Sequence, residues 1–260
     1  MMTNEQYHAD TTRISKSGLD LINQAPAKYY HRYLDPKRKP RKSTKTFDFG
    51  SSMHSIILER EKFDQEFIVS PNFTGDGSKF RKELFALNNP NKTIISAEMF
   101  DHIGGMRKSI FNHPIASKLL SNGIAEQTFT WIDPETGAPC KCRPDWWNDV
   151  LGYIIDIKST PDAKQNPFMR SAFKFRYHVQ APFYSDGLAA NGLKPKRFVF
   201  IAVEKEPPYL VNVFFYPETE MEFGRQIYRE NLEIYMECKR TGIWNGYTNE
   251  IKPLEIPGAY

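Results

Sequence analysis

The sequence has little cysteine, no long apolar run and no strong excess of either charge. Its three cysteines, Cys140, Cys142 and Cys238, cannot all pair with one another. No C-x-x-C spacing or nearby histidine accompanies them, so reduced thiols are expected rather than a zinc site. No apolar stretch is long enough to cross a bilayer, and the opening MMTNEQYHADTTR lacks the basic-then-apolar order of a secretory leader. A cytoplasmic chain without membrane association is therefore expected. No GxxxxGK[ST] phosphate loop is present, which excludes a nucleotide-driven motor of that type. Internal repeats and low-complexity segments are also missing. A net charge of +4 is too small to diagnose a polyanionic partner, so the distribution of charge matters more than its sum.

What remains is an ordinary globular composition, 40% hydrophobic and 25% charged, in 260 residues, enough for one domain with a sizeable core. Ser15-Lys16-Ser17 precedes apolar positions Leu19, Ile22, Ala25 and Tyr29, which predicts a capped helix bent near Pro26. The run KRKPRKSTK, residues 37–45, reads as a solvated basic loop. Residues 47–60 fit a helix that turns Met53, Ile56 and Ile57 inward and sets Gly50 and His54 on one side. A short strand near Phe67 and a loop follow. Residues 79–121 read as helices, with Ser96 an N-cap and Pro114 a first helical residue.

From residue 125 the period changes. AEQTFTWI and CKCRPDWW alternate and LGYIIDIKS is almost continuously apolar, which predicts a three-stranded antiparallel meander. A basic segment (164–176), a helix from Tyr177 to Ala190, two strands and a long helix from Pro217 to Lys239 complete the pattern. The expected fold is α/β (α+β mixed) with a central mixed sheet flanked by helices. Residues 1–120 form its mainly helical N-terminal part, 121–240 its core and 241–260 a tail.

Within the predicted core, Pro144-Asp145 is followed, ten residues on, by Asp156-Ile157-Lys158. In a strand, Asp156 and Lys158 share a face, and burying either unpaired would be costly, so both are expected at the strand's open end. A hairpin through Asp149 would bring Asp145 to them. Carboxylates this close repel unless a cation lies between them, and hard oxygen ligands select Mg²⁺ or Mn²⁺. Such an ion stabilises charge on a phosphate oxygen and acidifies water, the chemistry of phosphodiester hydrolysis. Lys158 would act as base or as electrostatic clamp. Glu126 can add a carboxylate, and His54 is either a ligand or an ordinary histidine.

Gln180 and Tyr184, one turn apart, would either support the site or belong to the core. Lys164, Arg170, Lys174 and Arg176 either follow a phosphate backbone or form a solvated face. Ser15 and Ser17 suit either an anion or simple capping.

With ISKSGLDLINQAPAKYYHRYL, FGSSMHSIILE, AEQTFTWIDPETGAPCKCRPD, YIIDIKST and YHVQAPFYSDG taken together, the chain resembles the PD-(D/E)xK nuclease superfamily, and within it the RecE-type exonucleases, or exonuclease VIII. The resemblance implies that His54, Asp145 and Asp156, with the Ile157 carbonyl, ligate Mg²⁺ (or Mn²⁺). It also implies that Lys158 is the catalytic lysine and Glu126 the acidic residue of the first core strand. Gln180 and Tyr184 match a Q-x-x-x-Y element, and Ser15 and Ser17 a serine motif near the DNA end.

By the same resemblance, the chain would be a 5′ to 3′ exodeoxyribonuclease on linear double-stranded DNA, independent of ATP and leaving 3′ single-stranded tails. It would form a homotetrameric ring and work with a single-strand annealing protein in prophage or phage recombination. A PD-(D/E)xK endonuclease of the Cas4 or restriction type, or an inactive DNA-binding nuclease fold, are the alternatives. Some relatives hold an iron–sulfur cluster through a cysteine where this chain has Ala25 and three late cysteines. Here only Cys238 is late, so no cluster is expected.

Overall fold

The apolar run Tyr153–Thr160 becomes the strand around which the rest of the chain is organised. The computed structural model describes residues 2–39 and 44–254; residues 40–43, within the basic run, lie outside the described residues. The N-terminal part contains α1 (Asn4–Ala9), α2 (Lys16–Gln24) and α3 (Pro26–Tyr29), the last passing into a π-turn over Tyr30–Leu34. Next come α4 (Lys45–Leu58), α5 (Arg60–Glu66), β1 (Phe67–Ser70), α6 (Ser78–Leu87), β2 (Thr93–Ser96), α7 (Ala97–Asn112) and α8 (Pro114–Leu119). The expected bend at Pro26 is present, since a proline at the first helical position starts α3 and cannot continue α2. Ser96 caps α7 by accepting the Met99 N–H, and Pro114 opens α8. Helix α5 and strand β2, which pairs in parallel with β1, were not legible from the periodicity.

The C-terminal half contains β3 (Ile124–Ala125), β4 (Phe129–Ile132), β5 (Pro139–Cys142), β6 (Trp146–Asn148), β7 (Tyr153–Thr160), α9 (Gln165–Lys174) and α10 (Tyr177–Ala190). It ends with β8 (Arg197–Glu204), β9 (Val211–Phe215) and α11 (Glu218–Thr241). The central sheet is mixed, in the order β3-β6-β7-β8-β9, with β7 and β8 parallel and the other pairs antiparallel. The expected single meander is instead divided between two sheets. Its first strand breaks at Glu126, which adopts left-handed backbone (φ 48°), and its second at Pro144, which follows the end of β5. Strands β4 and β5 thus form a separate hairpin, while β3 and β6 join β7.

The sheet separates two apolar layers. Ile154, Phe198, Phe200 and Ala202 pack with Val179 and Phe183 of α10 and Leu232 of α11. Ile155, Ile157, Val199, Ile201 and Val203 pack with Met53, Ile56 and Ile57 of α4 and Ile103 and Met106 of α7. Strand β7 is therefore covered on both faces, and each of its buried isoleucines contributes on the order of 2 kcal/mol. Cys140 and Cys142 are free and buried in the first layer, where burial raises both thiol pKa values.

Candidate active site

Strand lengths create the site. Strand β6 pairs with β7 only from Trp146↔Ile155 to Asn148↔Tyr153, so among the described residues no strand lies beside that edge of β7 beyond Ile155. Asp145 stands at this break, and its Oδ2 accepts the Ile157 N–H at 2.7 Å. Asp156 and Lys158 therefore do not emerge at the strand end as expected. They lie in the middle of β7, where the neighbouring strand stops, and Asp156 is only 1% exposed.

Glu126 follows β3, whose register pairs Ala125 with Trp146. One further backbone hydrogen bond, from Glu126 N–H to the Asp145 carbonyl at 3.1 Å, sets the two acidic residues side by side. Left-handed backbone at a non-glycine residue costs on the order of 1–3 kcal/mol and persists only where its surroundings fix it. Helix α4 supplies His54, whose Nδ1 lies 3.3 Å from Asp145 Oδ1 and 3.6 Å from Glu126 Oε1. One ligand atom from each of His54, Glu126 and Asp145 falls within 4.8 Å of the others.

Asp156 flanks this group without belonging to it. Its Oδ1 accepts a 2.6 Å hydrogen bond from Gln180 Nε2, one of the few partners able to reach so deep a carboxylate. Its Oδ2 is 2.6 Å from Lys158 Nζ, a buried ion pair. Lys158 Nζ also lies 4.8 Å from the Tyr177 ring centroid, a cation–π contact.

The charges perturb one another. Burial raises the Asp156 pKa to about 6, and nearby Asp145 adds to this despite Lys158. Glu126 is also raised, by burial and by Asp145, against His54. Burial would likewise raise Asp145, but His54, Lys158 and the Ile157 N–H together hold it below the ordinary carboxylate range. Burial alone would lower His54 and Lys158, yet the surrounding carboxylates hold both above their usual values. Three carboxylates crowded around one imidazole and one ammonium form a site that a divalent cation would relieve. Carboxylate oxygens with one imidazole nitrogen are a donor set that fits a divalent cation.

His54, Glu126, Asp145, Lys158 and Gln180 line a cleft of about 720 Å³, whereas Asp156 is buried and does not line it. Ser15, Ser17, Tyr184, Lys174 and Arg176 line it too, so most of the sequence-derived candidates share one surface; Asp156 and Ile157 are buried and reach it only through their contacts with Lys158 and Asp145. Ser15 stands at the N-cap of α2, but its side chain makes no capping bond and instead lies 3.1 Å from the Ser17 hydroxyl. Simple capping is thus not its role. Tyr184 sits one turn from Gln180, and burial raises its pKa. Lys174 is exposed at the mouth, whereas Lys164 and Arg170 are exposed but do not line the cleft.

Arg176 is not a free cation. Its guanidinium donates to Asp20 at 3.0 Å and to Asn231 at 2.8 Å, and its backbone is left-handed (φ 55°). Sequence reasoning missed Asp20, Asn231, Lys16 and Tyr177. Lys16 Nζ pairs with Asp20 at 2.8 Å and donates to the Phe175 carbonyl at 2.7 Å. The basic residues of the Ser-Lys-Ser and Lys-Phe-Arg segments were visible; their acidic and amide partners lie too far along the chain to leave a local signal.

Several known proteins are similar to this chain. A crystal structure of a "Putative exonuclease" from Eubacterium rectale superposes with a TM-score of 0.68 at 16% identity, covering 98% of this chain and 96% of that one. A phage-related exonuclease from Haemophilus somnus matches more loosely, with a TM-score of 0.36 at 10% identity over 86% of this chain and 95% of its own. No functionally curated protein matches. The first superposition shows a shared fold. Residues 15–255 match the family described as a PDDEXK-like domain of unknown function (DUF3799), and the chain belongs to that family.

Proposed function

We propose that the chain is a divalent-metal-dependent exodeoxyribonuclease that degrades linear double-stranded DNA from 5′ to 3′ and leaves 3′ single-stranded tails, without ATP. The observation that carries this reading is the meeting of His54, Glu126, Asp145 and Lys158 in one cleft, with Lys158 paired to the buried Asp156. His54, Glu126 and Asp145 would hold Mg²⁺ or Mn²⁺, with Asp156 and the Ile157 carbonyl as the further ligands that the family resemblance implies. Once bound, the ion supplies charge against a phosphate oxygen and lowers the pKa of water.

The chain's own groups do the rest. Lys158, paired with Asp156, would place an ammonium where negative charge grows on the phosphate. Gln180 fixes the Asp156 carboxylate, and Asp145 is oriented by the Ile157 N–H. Ser15, Ser17 and Lys174 would meet the DNA, with Tyr184 beneath them.

The name of the Eubacterium rectale protein favours cutting from ends over internal cutting. In this reading the partners are duplex ends and a single-strand annealing protein, the assembly is a homotetrameric ring, and the setting is phage or prophage recombination in the cytoplasm. No helix among the described residues is long and apolar enough to cross a membrane.

The test is digestion of linear duplex labelled at either the 5′ or the 3′ end, beside a closed circle, in Mg²⁺ or EDTA. Mg²⁺-dependent loss of the 5′ label from linear DNA alone is expected. Equal cutting of the circle would indicate an endonuclease, and no cutting would indicate an inactive binding fold. Lys158→Ala should abolish turnover and retain both fold and DNA binding; near-normal turnover would reject the assignment of this lysine.

A further inference from the structure

The turn between α9 and α10 presents a large apolar ring to solvent at the cleft mouth and invests several contacts in holding it there. Phe175 lines the cleft and is 55% exposed. Its carbonyl is gripped by Lys16 Nζ, and the next residue, Arg176, is held in left-handed backbone by Asp20 and Asn231. One face of the ring leans on Tyr177, with centroids 6.0 Å apart and planes 24° apart. Tyr177 in turn carries the Lys158 ammonium on its ring. Lys174, also exposed and lining the cleft, lies 5.8 Å from the Phe175 centroid. Cation and aromatic thus alternate through Lys174, Phe175, Arg176 and Tyr177, with the outer ring fixed and open and the inner one beside the candidate catalytic lysine.

At 55% exposure the ring leaves apolar surface in water at the cleft, which a ligand with a flat apolar face would cover favourably. The neighbouring ammonium groups select a ligand with anionic charge beside a flat apolar face. A single-stranded nucleic acid has this alternation of phosphate and base, and base-on-aromatic stacking between cations is the general means of holding one. We propose that Phe175 is a stacking platform for one unpaired nucleobase of the strand entering the cleft, with Lys174 on an adjacent phosphate. The inference rests on the nucleic-acid reading of the cleft and adds that the strand arrives with at least one base out of its pair.

The experiment uses the full chain in EDTA, where no cleavage occurs, and a short single-stranded oligonucleotide carrying 2-aminopurine at successive positions. The probe should be quenched at one or two positions in the wild-type protein. Phe175→Ala should lose this quenching and bind the oligonucleotide about 5- to 100-fold more weakly, the effect of one lost stack. Phe175→Trp should retain both, and Phe175→Leu, apolar but without a ring, should behave like the alanine variant. Because the side chain is exposed, all three variants should melt like the wild type.

Unchanged affinity and quenching in Phe175→Ala would overturn the platform, whatever that variant does to self-association, and would leave the nucleic-acid reading intact. Equal binding by the leucine and tryptophan variants would also overturn it, showing simple apolar contact. A wild-type protein that binds neither single-stranded nor duplex DNA would instead overturn the reading on which the platform rests.

Discussion

Asp156 makes the metal-free protein less stable as pH rises, and the size of the effect follows from its surroundings. Its folded pKa, about 6 against an ordinary 3.8, is raised by burial and by Asp145. A group raised in the folded state contributes its full stability below the unfolded pKa and loses it as pH climbs through the folded one. The whole window corresponds to about 3 kcal/mol. Much of that loss occurs below pH 5, where the unfolded chain already ionises, so between pH 5 and 7.5 on the order of 1 kcal/mol remains to be lost. For a chain of this size that is roughly 2–4 °C in Tm.

The assay is thermal unfolding in EDTA at both pH values, for the wild type and for Asp156→Asn, which keeps an oxygen for the Gln180 hydrogen bond. Taking the difference between the two proteins cancels every other titrating group that the substitution leaves alone. The gap should move in favour of the asparagine variant as pH rises, and millimolar Mg²⁺ or Mn²⁺ at pH 7.5 should restore the wild type, because ligand bound to the folded state stabilises it by mass action. Parallel profiles for the two proteins in EDTA would refute the reasoning, and so would a wild type that gains no Tm from either ion.

His54→Ala removes the nitrogen from the candidate metal group without opening the core, because its side chain is 25% exposed. Calorimetry should show Mn²⁺ binding weakened at least roughly tenfold, Tm in EDTA should fall because Asp145 and Glu126 lose the imidazolium that faces them, and unaltered binding would remove His54 from the ligand set. Gly224 lies where α11 meets α10, and a Cβ there would collide with the His178 carbonyl. Gly224→Ala should therefore cost on the order of 3 kcal/mol in urea or thermal unfolding, as overpacking against backbone does. It should also lower turnover by moving the helix that carries Gln180. A variant of wild-type stability would show that the two helices are not held at this spacing.

Much of this arrangement could be read in the residues because it depends on local pattern. The helix carrying Gln180 and Tyr184 was expected over Tyr177–Ala190 and spans those residues. The alternation in YIIDIKST correctly set Asp156 and Lys158 on the face opposite Ile155 and Ile157, which pack in the other apolar layer. The Asp149 hairpin brings Asp145 alongside β7, where it accepts the Ile157 N–H, as its spacing implied. Local pattern failed where a single residue changed the chain's direction. AEQTFTWI alternates well enough to read as one strand, and nothing in its composition marks Glu126 as left-handed. Its long-range partners, the Asp145 carbonyl and the His54 ring, accompany that conformation and leave no local signal.

The same distinction explains why the charged residues were expected at a strand end and lie mid-strand. The rule that buried charge is costly holds, but it constrains a residue's partners, not its position along a strand. At Asp156 the required partners come from three directions: Gln180 from a helix, Lys158 from its own strand, and an open edge left by β6, which pairs only as far as Ile155. That early end is what exposes the Ile157 N–H to the Asp145 carboxylate in place of a neighbouring strand. A longer β6 would satisfy the backbone of β7 with a strand partner and leave no room for Glu126, Asp145 and His54 to converge. The site therefore depends on an interrupted strand as much as on its acids, and no periodicity argument over CKCRPDWW could supply that interruption beyond the proline before Asp145.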